Sequence, residues 1–193
     1  MITNDPYSGA AHLPDVYIFR PIFADKKLVA WAVGGGHQRD VGGMTPGSCP
    51  TNATEIHQEG LRLPPLKLYD RGEPNQTLFT ILKAASRTPE IVLADISAYV
   101  GACIVAEQRF LELVKAHGVK TLDYYLSCLL DYTERMACAE IRSMCDGKYY
   151  FEDKLDDDGI NPENKITIRL TITVEGENLI YDFDGTDAQV ASS

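Results

Sequence analysis

The chain has 193 residues, enough for one domain with a sizeable core or two small ones. Its formal net charge is −10, with no dense Lys/Arg block, which argues against a phosphate-backbone binder and for small-molecule or protein partners. Five cysteines without a C-x-x-C pair, no charged-then-apolar leader and no apolar run of spanning length predict a reduced, cytoplasmic protein, with neither nucleic acid nor membrane as partner.

The first polar motif is His12-Leu13-Pro14-Asp15. Pro14 opposes a regular strand or helix, and a polyproline-like stretch would bring His12 and Asp15 to one side. An irregular extended segment is expected there. Val16 to Phe23 is aromatic and β-branched and predicts a strand, with Pro21 marking an edge or bulge. Ala24 to Lys27 reads as a four-residue turn and Leu28 to Val33 as the returning strand. If Phe23 faces Leu28, Asp15 lies opposite Gly36 and His12 opposite Arg39, with facing positions about 5 Å apart. The motif around His37 and Asp40 therefore meets the first motif at the open end of a hairpin.

Residues 41–75 look loop-rich, and a long loop inside a compact domain is usually functional. Leu66 to Tyr69 predicts a short strand closed by a turn at Asp70-Arg71-Gly72. Thr77 to Ser86 predicts a short helix. A long helix follows, with Thr88 at the N-cap, Pro89 in the first position and Gly118 after the last turn. Val92, Leu93, Ile96, Val100, Ile104, Phe110, Leu111 and Val114 form its apolar stripe. A second long helix is expected from Thr121 to Gly147, antiparallel to the first. Ile166 to Val174 alternates apolar and polar residues, a half-buried strand, and Leu179 to Phe183 returns after the turn at 175–178. The expectation is an α+β fold: an N-terminal β-hairpin and loop-rich region over 1–75, an antiparallel long-helix pair over 76–147, and C-terminal antiparallel strands over 148–193.

The chain has four histidines, and two of them, His12 and His37, are each followed three residues later by an aspartate. His12, Asp15 and His37 are candidates to ligate a divalent ion, since imidazole with carboxylate suits zinc, manganese or iron. The alternative is a hydrogen-bonded polar cluster. Asp40 is open between a fourth ligand, an orienter of His37, a general base and a solvated turn residue. His57 and Glu59 are further candidates, His57 reading better as a surface residue. His117 reads as a residue of a helix C-terminal turn.

The runs Gly34-Gly35-Gly36 and Gly42-Gly43 allow close approach of a ligand or irregular turn geometry; no Gly-Lys-Ser/Thr follows, so neither is a Walker loop. Asp156-Asp157-Asp158-Gly159 lacks the spacing of a calcium loop and reads as a solvated acidic turn. Asp182-Phe183-Asp184-Gly185-Thr186 is similar to the nucleophile motif of haloacid-dehalogenase phosphatases. The lysine and acidic motifs that should follow it are absent here.

Taken together, Asn4-Asp5-Pro6-Tyr7, His12-Leu13-Pro14-Asp15, His37 with Asp40-Val41-Gly42-Gly43, Thr45-Pro46-Gly47-Ser48, Glu59-Gly60, Pro64-Pro65, Leu93-Ala94-Asp95 and Asp182-Phe183-Asp184-Gly185-Thr186 resemble the hydantoinase B/oxoprolinase family. The resemblance implies an ATP-dependent cyclic-amide hydrolase working in a hetero-oligomer. A hydantoinase A-like subunit of the actin-like ATPase superfold would use ATP to phosphorylate the substrate carbonyl oxygen. The subunit resembled here would complete the reaction at a bound divalent metal, zinc or manganese. It assigns His12, Asp15 and His37 as ligands, leaves Asp40 or Glu59 as general base, and makes the Asp182–Thr186 motif a strand end. A ketone carboxylase subunit, and an inactive truncated domain that only binds the partner, are the alternatives. Family subunits are much longer on both sides, so a partial subunit is expected.

Overall fold

The computed structural model describes residues 1–190 and 192. The chain forms two compact units, Met1–Val119 and Lys120–Ser193, so the helical segment expected over 76–147 is divided between them. Helices and antiparallel strands occur in separate blocks, the α+β class expected.

The first unit is built on a three-stranded antiparallel sheet of β1 (Ile2–Thr3), β2 (Asp15–Ala24) and β3 (Lys27–His37), in that order. The β2–β3 loop is shorter than expected. Only Asp25 and Lys26 lie outside the strands, with φ 49° and 64°, the left-handed pair that matches hairpin twist. Phe23 faces Leu28 as expected, but Ile22 faces Ala30, so Val29 bulges out of the ladder. That extra residue moves the register by one, and Asp15 faces His37 instead of Gly36. Phe19 N–H reaches back to Met1 O at 3.0 Å. Pro21, two residues on, therefore presents its missing N–H to that same edge, past the end of β1.

Residues 41–75 carry little regular structure, as expected. The strand expected at Leu66–Tyr69 reduces to an Ile2–Leu66 bridge and a small hairpin of β4 (Tyr69–Asp70) and β5 (Glu73–Pro74). Backbone bonds tie the region down: Leu61 N–H to Val41 O at 2.8 Å, and Met44 N–H to Gln58 O at 2.7 Å.

Helix α1 (Gln76–Ala85) is capped by Asn75, whose side chain accepts from Leu78 N–H. Helix α2 (Pro89–His117) starts on Pro89 as predicted and ends where Gly118 N–H bonds Val114 O at 2.8 Å. Thr88 stands at the N-cap position without making the capping bond. The buried core joins Ile2, Val16, Ile18 and Ile22 of the sheet to Leu78 and Leu82 of α1 and Val92, Ile96 and Cys103 of α2. By length and composition α2 is apolar enough to cross a membrane, contrary to the expectation that no run approaches that length. Val92, Ile96 and Cys103 face the core and Ile91, Val105 and Leu113 lie exposed, so the helix is apolar well beyond its core stripe.

In the second unit, α3 (Val119–Arg142) stops before the expected Gly147, where the chain instead enters β6 (Gly147–Leu155). β6 pairs antiparallel with β7 (Ile166–Glu175), and β7 with β8 (Asn178–Asp182). Ile172 faces Tyr149 on one side and Tyr181 on the other, and these line an apolar groove of about 370 Å³ with Met144, Val174 and Leu179. Ile172 and Val174 thus share one sheet face, but Thr167 is buried and Ile168 exposed, so the half-burial predicted from the alternation does not hold along the whole strand.

Candidate metal centre

Three side chains from two strand ends meet at the open end of the β2–β3 hairpin. Asp15 is the first residue of β2, and His37, the last of β3, is its direct partner. His12 arrives through a turn, closed by Asp15 N–H to His12 O at 3.0 Å. The segment is thus not the extended polyproline-like stretch expected, although a turn unites positions i and i+3 just as well. Leu13 and Pro14, its central residues, are fully buried and anchor it to the core. Gln38 N–H donates to Pro14 O at 2.7 Å and locks the returning strand to the same turn.

His12 Nε2 lies 3.2 Å from Asp15 Oδ1 and 3.2 Å from His37 Nδ1, and His37 Nδ1 lies 3.3 Å from Asp15 Oδ1. Ligand atoms about 2.1 Å from a common ion stand about 3.0 Å apart at octahedral corners and about 3.4 Å apart at tetrahedral ones. The observed triangle falls between the two, so this donor set fits a zinc- or manganese-sized ion. His12 and Asp15 are partly covered and His37 is about half exposed, which leaves the site open to a ligand from outside. These three residues form the metal-competent group among the described residues, and Asp40, His57 and Glu59 are not part of it.

Asp40 has a different position and role. Its carboxylate is buried, and it accepts from Gly42 N–H at 3.1 Å, Gly47 N–H at 3.0 Å, Arg87 N–H at 2.9 Å and Arg87 Nη1 at 3.0 Å. Burial pushes its pKa up, but the bonds from Arg87 and from the Gly47 and Gly42 amides outweigh burial and hold it below the ordinary value. An acceptor saturated by four donors lacks the free lone pair and the proton affinity of a general base near neutrality. The open alternatives for Asp40 therefore narrow to a clamp on the loop that follows His37. Arg87 completes that clamp by also donating to Gly42 O, Gly43 O and Thr45 O. No sequence signal singles it out, because its partners lie more than forty positions away.

Glu59 closes a short 3-10 turn over Ile56–Gln58 through its backbone N–H, and its side chain makes no ion pair among the described residues. His57 lies in that turn, away from the three ligand candidates, and His117 ends α2, both as expected. The two glycine runs serve packing. Gly34 and Gly36 lie in regular β3, and a Cβ at Gly36 would come within 2.8 Å of Tyr99 Oη on α2. Gly42 and Gly43 have φ 96° and 80°, and Gly43 lies hard against the Gln58–Glu59 backbone. Gly42 and Gly43 thus show the irregular turn geometry expected of them, whereas Gly34 and Gly36 let α2 approach β3 closely.

The Asp182–Thr186 motif ends β8, as the resemblance implied. Asp182 Oδ1 accepts from Asp184 N–H at 3.0 Å, and Thr186 Oγ1 exchanges bonds with Arg169 N–H and O on β7. The acidic turn at 156–159 is self-satisfied: Asp158 accepts from Asn161 N–H, Asn164 Nδ2 and Ile160 N–H, which lower its pKa.

Comparison with known proteins places the chain in a family. Residues 1–193 match the hydantoinase B/oxoprolinase family. The chain is 36% identical over 191 residues to the B component of a putative D-/L-hydantoinase of Pseudomonas sp. (strain NS671), covering 97% of this chain and 32% of that protein. It is 32% identical over 174 residues to the beta component of the caprolactamase of Pseudomonas jessenii, covering 90% and 30%. The crystal structure of the ATP-dependent caprolactamase from that organism superposes with a TM-score of 0.90 at 29% identity, over 99% of this chain and 33% of the other. The chain thus spans about a third of the length of these relatives. It belongs to the hydantoinase B/oxoprolinase family.

Proposed function

We propose that this chain is the metal-bearing part of an ATP-dependent cyclic-amide hydrolase, with His12, Asp15 and His37 as the protein ligands of a divalent ion. The observation that carries the reading is the convergence of His12 Nε2, Asp15 Oδ1 and His37 Nδ1 to mutual separations of 3.2–3.3 Å in a chain of this family. When bound there, the ion would polarise a carbonyl or lower the pKa of a bound water. The chain's own residues do the rest: the buried Leu13-Pro14 turn and the His37–Asp15 pairing hold the ligands in register, and the Asp40–Arg87 clamp fixes the loop after His37. Glu59, half-buried and free of ion pairs among the described residues, is the candidate general base. ATP enters through a hydantoinase A-like ATPase partner in a hetero-oligomer, and the substrate is a small cyclic amide.

Elemental analysis is the direct test. The wild-type chain should carry roughly one divalent ion and His37→Ala close to none, and the same measurement distinguishes zinc from manganese. Unchanged metal content in His37→Ala would remove the ligand assignment. A substrate screen with the partner and ATP, with and without bicarbonate, separates the hydrolase from a ketone carboxylase. In that assay Glu59→Gln should lower turnover while leaving metal content intact.

A further inference from the structure

Asn4 is fully buried in the first unit, beneath the turn that carries two of the three ligands. Its side chain is completely matched. Nδ2 donates to Leu13 O at 2.7 Å and to Leu61 O at 2.8 Å, and Oδ1 accepts from Leu63 N–H at 2.6 Å. Two carbonyls on one side and one N–H on the other leave the amide a single orientation. All three partners are main-chain groups, and they belong to two separate stretches of chain.

Those stretches are the two sides of the site. Leu13 lies between His12 and Asp15, in the centre of their turn. Leu61 is bonded through its own N–H to Val41 O at 2.8 Å, directly after Asp40 in the clamped loop that leaves His37. One buried amide therefore bridges the segment bearing His12 and Asp15 to the segment packed on the exit from His37. Its three hydrogen bonds go to main-chain groups of Leu13, Leu61 and Leu63 and to none of the ligand side chains.

We propose that Asn4 is a positioning residue for the metal centre: its amide sets the His12–Asp15 turn at the height where all three ligand atoms reach one ion. This rests on the metal reading of the site. A metal site loses affinity when the groups that orient its ligands are removed, typically about 10–100-fold. Asn4→Asp keeps the volume and the acceptor to Leu63 N–H. It turns both donors into an oxygen facing the carbonyls of Leu13 and Leu61, which drives the turn outward.

The experiment compares Asn4→Asp with Thr3→Val. Thr3 is the neighbouring buried residue; its Oγ1 donates to Leu63 O at 2.9 Å and accepts from Asp5 N–H at 3.2 Å, so its loss weakens the same packing without removing a bond to the His12–Asp15 turn. Mn²⁺ affinity is read by electron paramagnetic resonance titration, and stability by urea unfolding of the same samples. Asn4→Asp should bind Mn²⁺ about tenfold or more weakly, and Thr3→Val within about twofold of wild type. Equal losses in both variants, or none in Asn4→Asp, would overturn the positioning role. If Asn4→Asp does not fold, hydrogen exchange in the wild type decides. Coupling between sites is reciprocal, so Mn²⁺ should slow exchange of the Leu63 amide by roughly fivefold or more, and an unchanged rate would refute the link. A wild-type chain that binds Mn²⁺ no better than His37→Ala would instead fail the metal reading itself.

Discussion

Replacing Asp40 by Asn tests the clamp behind the site. The carboxylate receives four donors, three of them backbone amides, in a buried setting. Asn can accept at only one of its two positions, so one oxygen becomes an NH₂ that points at donors. If Nδ2 replaces Oδ2, it faces Gly47 N–H and Arg87 Nη1, and the part-buried Gly47 amide loses its acceptor, a loss of about 1–3 kcal/mol. The remaining bonds to Gly42 and Arg87 N–H drop from charged to neutral acceptors, roughly another 1 kcal/mol. Arg87 is about half exposed, so its own lost ion pair adds little beyond this. The total is about 3 kcal/mol, a large fraction of the roughly 5–15 kcal/mol typical of a domain.

Trp31, the single tryptophan, lies on β3 of the same unit, so its fluorescence in a urea titration reports this unfolding. A second reading comes from pH. Asp40 has a folded-state pKa below its ordinary 3.8. Its contribution is therefore complete above that value and is lost as pH falls through the lower, folded one. The stability gap between wild type and Asp40→Asn should be constant near neutrality and shrink below about pH 4. A gap under about 0.5 kcal/mol at pH 7, within the range of ordinary surface substitutions, would refute the reasoning. So would a gap that does not close in acid.

Two other outcomes follow from packing. Gly36→Ala should destabilise the first unit by about 1–3 kcal/mol, because the new methyl meets Tyr99 Oη, and Tyr99→Phe in the same background should recover part of it. Equal unfolding midpoints for Gly36→Ala and wild type would mean that α2 does not press on β3 as described. Under native conditions, mass spectrometry after alkylation should find Cys49 and Cys145 modified first and Cys103 protected. Cys103 is buried, and burial pushes its thiol pKa up, so thiolate is scarce there. Early labelling of Cys103 would contradict its place in the core.

Much of the architecture can be read along the chain because it depends on local chemistry. Pro89 and Gly118 bracket α2 through properties of their own backbones, and the alternation from Ile166 to Val174 marks β7 without reference to any other segment. The Asp25-Lys26 turn and the Phe23–Leu28 pair lie close enough in sequence for the hairpin to be drawn from residue types alone. The site is legible in outline too: His12, Asp15 and His37 are identifiable from residue type and from the motifs they share with a family. The start of β6 is not, because Tyr149, Tyr150 and Phe151 follow closely on a helical stripe and their strand character depends on pairing with β7.

What tertiary structure alone decided are the relations between distant segments. The bulge at Val29 puts Asp15 opposite His37; a regular ladder would have put Gly36 there and turned His37 to the other face, and no pattern in residues 15–37 announces a single extra residue. Gly34 and Gly36 owe their identity to Tyr99 and Cys103 on α2, more than sixty positions away. Asp40 looks like a free acid beside a histidine until Arg87 arrives to saturate it. Asn4 is only one residue of the Asn4-Asp5-Pro6-Tyr7 motif until Leu13, Leu61 and Leu63 close around its amide. The physical reason is the same in each case. Residue type determines which bonds a side chain is able to make, but burial by remote segments determines which partners are left to make them with.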